Sequence, residues 1–95
     1  MNALQRMQHW FRSQCNADWE HGEGIVIATL DNPGWSVDIN LEGTLSDQVE
    51  FRPLKVERTD TDWIHVWRDG VAFKIRCGPE NLEEGLTVFC NWVRE

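Results

Sequence analysis

The run Asp31-Asn32-Pro33-Gly34-Trp35-Ser36 lies between two strand-like stretches and constrains the fold more than any other part of the chain. Ile25-Val26-Ile27-Ala28-Thr29-Leu30 enters it as a β-branched apolar run. Trp35, Val37, Ile39 and Leu41 leave it in alternation with Ser36, Asp38, Asn40 and Glu42, the period of a half-buried strand. Pro33 presets φ for the first central position of a turn and Gly34 tolerates the positive φ of the second. Residues 31–35 therefore predict a hairpin closed by a type II corner, with Gly34 left-handed.

The remaining elements follow from period and punctuation. Leu4, Met7, Trp10, Phe11 and Gln14 recur at helical spacing and predict an amphipathic helix over 3–14. A third strand over 49–57 changes phase at Pro53, which predicts a bulge or an edge position, because proline cannot donate to a central ladder. Trp63, His65 and Trp67 alternate with Ile64 and Val66 in a fourth strand, and Val71, Phe73 and Ile75 alternate with Ala72, Lys74 and Arg76 in a fifth. Asp69-Gly70 between them favours a type I′ turn. A last helix opens at Asn81, with Glu84 placed to complete a capping box, and carries Leu82, Leu86, Phe89, Cys90 and Val93 on one face. Gly85 inside that helix points to close packing or to an imperfect helix. The expected fold is one α+β domain over 1–95: an antiparallel five-stranded meander sheet with an N-terminal and a C-terminal helix packed on one face. Trp35 and Trp63 fit the core phase best, and the polar face bearing Ser36, Asp38, Asn40, Lys74 and Arg76 is left open for a partner.

Charge and cysteine usage exclude several functions. The 95 residues carry 9 Lys and Arg against 16 Asp and Glu, a net charge of −7 that repels phosphate backbones and anionic lipid and attracts basic partners. Neither nucleic acid nor membrane is expected as a partner. The start Met1-Asn2-Ala3-Leu4-Gln5-Arg6 lacks an apolar leader core, so a cytoplasmic location is expected. Cys15, Cys77 and Cys90 have no metal-ligand spacing and form no even set for disulfides, so they read as small apolar fillers.

Four candidates could carry chemistry or binding. Asp18, Glu20, His21 and Glu23 crowd one loop, where carboxylates beside an imidazole could bind a metal or move protons, but no second His or Cys stands at ligand spacing. A solvated or capping loop is the plainer reading. Glu57, Asp60 and Asp62 lack the glycine and terminal glutamate of a calcium loop and read as an acidic turn. Cys77 precedes a helix start, yet no sequence-local base accompanies it, and a buried strand-end cysteine is the simpler assignment. Trp63 and Trp67 could be stacking platforms, although aromatics at period 2 usually pack inward.

As strings, Asp18-Trp19-Glu20-His21 and Thr29-Leu30-Asp31-Asn32-Pro33-Gly34-Trp35-Ser36-Val37 resemble the immunity protein 53 family. The resemblance extends to Gly78-Pro79-Glu80-Asn81-Leu82-Glu83-Glu84 and Phe89-Cys90-Asn91-Trp92, with Cys77 where a glycine or other small residue is expected. It implies a bacterial protein encoded beside a polymorphic toxin, without catalysis or cofactor, that binds a cognate toxin domain and occludes its active site; the net charge of −7 suits a basic one. No catalytic or contact residue comes with the resemblance. Our own expected contacts are Asp18, Trp19, Glu20, His21, Asp38, Asn40, Asp60 and Asp62, with Asp31, Asn32, Pro33, Gly34 and Trp35 as the structural motif. Trp19 is either an interface anchor or core, and the free chain is expected to be a monomer or weak homodimer. Two other readings stay open: a small ligand- or metal-binding or catalytic domain built on the Asp18–His21 loop, and a general protein-interaction module.

Overall fold

Helix α1 (Ala3–Gln14) begins where Asn2 and Gln5 close a capping box, each side chain accepting the other's backbone N–H at 2.9 Å. The computed structural model describes residues 1–95. Beyond α1 the chain forms β1 (Ile25–Leu30), β2 (Gly34–Asn40), β3 (Leu54–Thr59), β4 (Asp62–Asp69), β5 (Ala72–Cys77) and α2 (Leu82–Val93), with 3₁₀ turns at Trp19–His21 and Leu45–Gln48. The five strands form one antiparallel sheet, and the two helices are terminal, as the sequence predicts.

The sheet order, β1-β2-β5-β4-β3, refines the expected meander. Strands β3, β4 and β5 do meander, but the β1–β2 hairpin joins them at β5, so β3 lies at the far edge rather than beside β2. The segment between β2 and β3 is tied down in a way that forces this crossing. Leu41 donates its N–H to the Val71 carbonyl, Arg68 donates to the carbonyls of Asp47 and Val49, and Phe51 packs edge-on against Phe73 and Trp92. Pro53, which has no N–H to give, then leads into the edge strand.

Strand register puts Val37, Ile39, Ile64, Val66, Phe73, Ile75 and Cys77 on the face covered by the helices, where Met7, Trp10, Leu86, Phe89 and Cys90 complete the core. Trp10 sits edge-on to Phe89, with centroids 4.9 Å apart. Gly85 faces the sheet, and a Cβ there would come within 2.9 Å of the Ile75 Cγ2, so close helix–sheet packing explains the glycine.

Local expectations change in four places. Leu30 pairs with Gly34 across a three-residue loop of Asp31, Asn32 and Pro33, and Gly34 is not left-handed, so the corner is not type II. Glycine is required there for space, because a Cβ would stand 2.3 Å from the Cys77 carbonyl oxygen. The β4–β5 loop is Gly70-Val71, with positive φ at Gly70 alone (59°), the pattern of a type II′ rather than a type I′ turn. Asn81 does not cap α2. Its amide oxygen accepts the Trp63 N–H at 3.3 Å while its nitrogen donates to Asp62 at 2.9 Å, stitching the helix start to β4. Finally, Trp63 lies outside the core phase: Ile64 and Val66 point to the helices, which turns Trp63, His65 and Trp67 to the open face.

Candidate functional site

The face of the sheet away from the helices is a chemically mixed surface assembled from four strands. β4 presents Trp63, His65 and Trp67, β5 presents Lys74 and Arg76, β2 presents Ser36 and Asp38, and β3 presents Lys55 and Glu57. Arg76 donates to Asp38 at 2.9 Å and its guanidinium lies 5.7 Å from the centre of the Trp67 ring, while Lys74 reaches Asp38 at 3.4 Å. Partial burial opposes ionisation of Asp38, but the bond and charge of Arg76, helped by Lys74, outweigh it and hold the carboxyl below the usual range. His65 Nε2 meets Glu57 at 3.0 Å, and that bond, with one from Lys55, likewise lowers the Glu57 carboxyl.

Toward the β1–β2 corner this face deepens into a shallow cleft of about 520 Å³. Trp63, His65 and Arg76 line it, and Asn32 from the corner and Asp60 from the β3–β4 turn border it. Asp62 stands beside this turn in a separate ionic group. Arg58 joins Asp62 at 2.9 Å to Glu84 at 2.6 Å, and its bonds, with that of Asn81, lower the Asp62 carboxyl.

The expected contacts are thus not one site. Asp31, Asn32, Asp60 and Asp62 share one end of the sheet, and Asp38 lies on the open face between the ends. Asn40 and the Asp18–His21 turn occupy the opposite end, where the Trp19 indole N–H donates to the Asn40 carbonyl at 3.1 Å. That turn is closed from within: Glu20 accepts the N–H groups of Asn16 and Ala17 at 2.8 Å each, its own backbone N–H and then these bonds lower its carboxyl, and Asn16 accepts the N–H groups of Asp18 and Trp19. Trp19 is only 9% exposed and packs against Trp10 and Phe11, with Gly24 beneath its ring. Of the two roles expected for Trp19, core or interface anchor, this burial is that of a core residue. No group of three or more His, Cys, Asp or Glu side chains is arranged to hold a metal ion. Burial, then the charge of Glu84, pushes the Cys77 thiol up to about 11, the reverse of what a nucleophile needs.

Sequence reasoning weighed Trp63 and Trp67 as stacking platforms but favoured inward packing, and so did not place them on the open face. Both phases of β4 are apolar, so alternation could not choose between them. The available signal was Ile64 and Val66, β-branched residues opposite Ile75 and Cys77 of a strand whose other phase is Lys74 and Arg76.

No helix is long and apolar enough to cross a membrane. No curated protein and no solved structure matches the chain. The family model of immunity protein 53 matches residues 4–94, which takes in α2, all of α1 but Ala3, every strand and the whole open face. The chain belongs to the immunity protein 53 family.

Proposed function

We infer that this chain binds a cognate toxin domain of a bacterial polymorphic toxin system and neutralises it by covering the toxin's active site, without catalysis of its own. Membership of the immunity protein family over residues 4–94 carries the reading. The open face supports it: half-buried Trp63, which lines the cleft, and half-buried Trp67 beside Arg76, on a face that no helix covers, are the residue types that anchor protein interfaces. Asp60 at the cleft border and the net charge of −7 favour a basic toxin surface. In this reading the chain works in the cytoplasm and is a monomer or weak dimer when free.

Titration against the toxin domain encoded beside the gene, with the toxin's activity read in parallel, tests the proposal. The expected result is a stoichiometric complex in which toxin activity is lost; a toxin that stays fully active when saturated overturns the reading. Charged rims act mainly on encounter, so kon should fall as salt rises while koff changes little. A kon indifferent to salt would remove the basic-partner part alone.

A further inference from the structure

β1 is an edge strand exposed on both sides, and its phase in the ladder can be read. Asn40 donates its N–H to the Gly24 carbonyl at 2.8 Å, so by the period of an antiparallel ladder Val26, Ala28 and Leu30 also turn their backbone groups toward β2. Ile25, Ile27 and Thr29 therefore aim three N–H and three C=O groups outward, away from the sheet. Val26 is 38% and Ile27 42% exposed, and no charged residue, proline or bulge interrupts the strand. On the helix side, Leu4, Met7, Phe11, Ile25, Ile27 and Leu86 line an apolar cleft of about 260 Å³ between α1 and the edge. An edge of free backbone groups beside an apolar cleft is the geometry that receives an added strand, with main-chain bonds giving affinity and the cleft taking alternate side chains.

Charge at the two ends of β1 selects the occupant. Exposed Glu23 precedes the strand and exposed Asp31 follows it. A second copy paired antiparallel about Ile27 would set Glu23 of each chain opposite Asp31 of the other, like charges at both ends between two molecules of charge −7. We propose that the outer edge of β1 receives an extended segment of the toxin domain, apolar where it faces the α1 cleft and bearing lysine or arginine opposite Glu23 and Asp31. The segment extends the sheet to six strands. This rests on the reading that the chain neutralises a toxin.

Backbone amide hydrogen exchange of the chain, free and with the neighbouring toxin domain, tests the assignment. The Ile25, Ile27 and Thr29 amides should exchange readily in the free chain and slow at least about tenfold in the complex. Thr29→Pro removes one outward donor and leaves the inward ladder intact, so toxin affinity should fall about tenfold with the melting temperature nearly kept. A toxin complex that leaves these three amides exchanging overturns the β1 assignment and leaves neutralisation standing. Slowing that follows the chain's own concentration without toxin overturns it in favour of a second copy. If the wild-type chain forms no complex, neutralisation falls and this assignment falls with it.

Discussion

At one edge of the sheet β3 follows directly on Pro53, carries Lys55, Glu57 and Arg58, and loses its register between Glu57 and Thr59. At the other edge, β1 runs from Ile25 to Leu30 in unbroken register without a charge. Charges, a flanking proline and a bulge are the means by which sheets discourage edge-to-edge pairing. Their concentration on β3 and absence from β1 show that the fold protects one edge and keeps the other able to pair. The two edges also differ in how they are held. The start of β1 rests on Trp19, which is almost fully buried, whereas β3 is preceded by Phe51, which is half-buried against Phe73 and Trp92.

The largest expected effect breaks the anchor of the β1 edge. Trp19→Ala should destabilise the domain by ~3–5 kcal/mol, the cost of removing a large buried aromatic and leaving its cavity. Phe51→Ala on the β3 side should cost about 2 kcal/mol, because part of that ring is already in water. Urea unfolding of both variants decides the matter, and equal losses would mean that the two edges are anchored alike.

Next comes the hairpin that carries β1. Gly34→Val should lose about 2–3 kcal/mol, because its Cβ collides with the Cys77 carbonyl and must push β2 from β5. Gly70→Ala, at the turn on the β4–β5 side, has open space and should lose only ~1 kcal/mol from the positive φ. Thermal melts that reverse this order would show that the corner is held by backbone conformation after all.

A smaller effect on stability, but a visible one on behaviour, is expected when the protection of β3 is removed. Lys55→Val with Glu57→Val lies on the exposed face of the edge and should change stability by less than about 0.5 kcal/mol. Sedimentation velocity should nevertheless show stronger concentration-dependent association than that of the wild-type chain. A double variant that sediments as the wild type would mean that the proline and the bulge guard β3 without help from its charges.

Much of this architecture was legible because local signals were unopposed. The helix over 3–14 and the edge role of the strand near Pro53 needed only periodicity and the missing proline N–H. What stayed hidden depended on contacts between distant residues. Gly34 reads as a turn glycine until the Cys77 carbonyl is placed above it, and Asn81 reads as a helix cap until the Trp63 N–H competes for its side chain. Strand order was illegible for the same reason, since nothing local says that Arg68 will hold the carbonyls of Asp47 and Val49 and carry the chain to the far edge. At the candidate site the acidic residues were legible as charges but not as a map. Only the register separates Asp60 and Asp62 from the Asp18–His21 turn.

The smallest expected effect compares a carboxylate inside the sheet with one at its edge. Asp38, between β2 and β5, is held ionised by Arg76 and Lys74 against the opposing effect of burial, so its folded carboxyl titrates below the unfolded one. Its contribution is therefore fully present above the unfolded value near pH 4 and is lost as pH falls through the folded value. The group is two-fifths exposed, which leaves the ion pair worth only ~0.2–1 kcal/mol. Asp38→Asn should be less stable than the wild type by that amount at pH 7, and the difference should shrink to nothing as the pH is lowered below the folded value. Glu57→Gln at the β3 edge should show the same sign with a smaller amplitude, because its bonds to His65 and Lys55 lie at the surface and are screened. Paired urea titrations from pH 7 down to about pH 3 measure both. An Asp38→Asn difference that persists unchanged at the acid end would mean that Asp38 acts through packing, and that the cross-strand ionic contacts of the open face contribute nothing to holding β2 against β5.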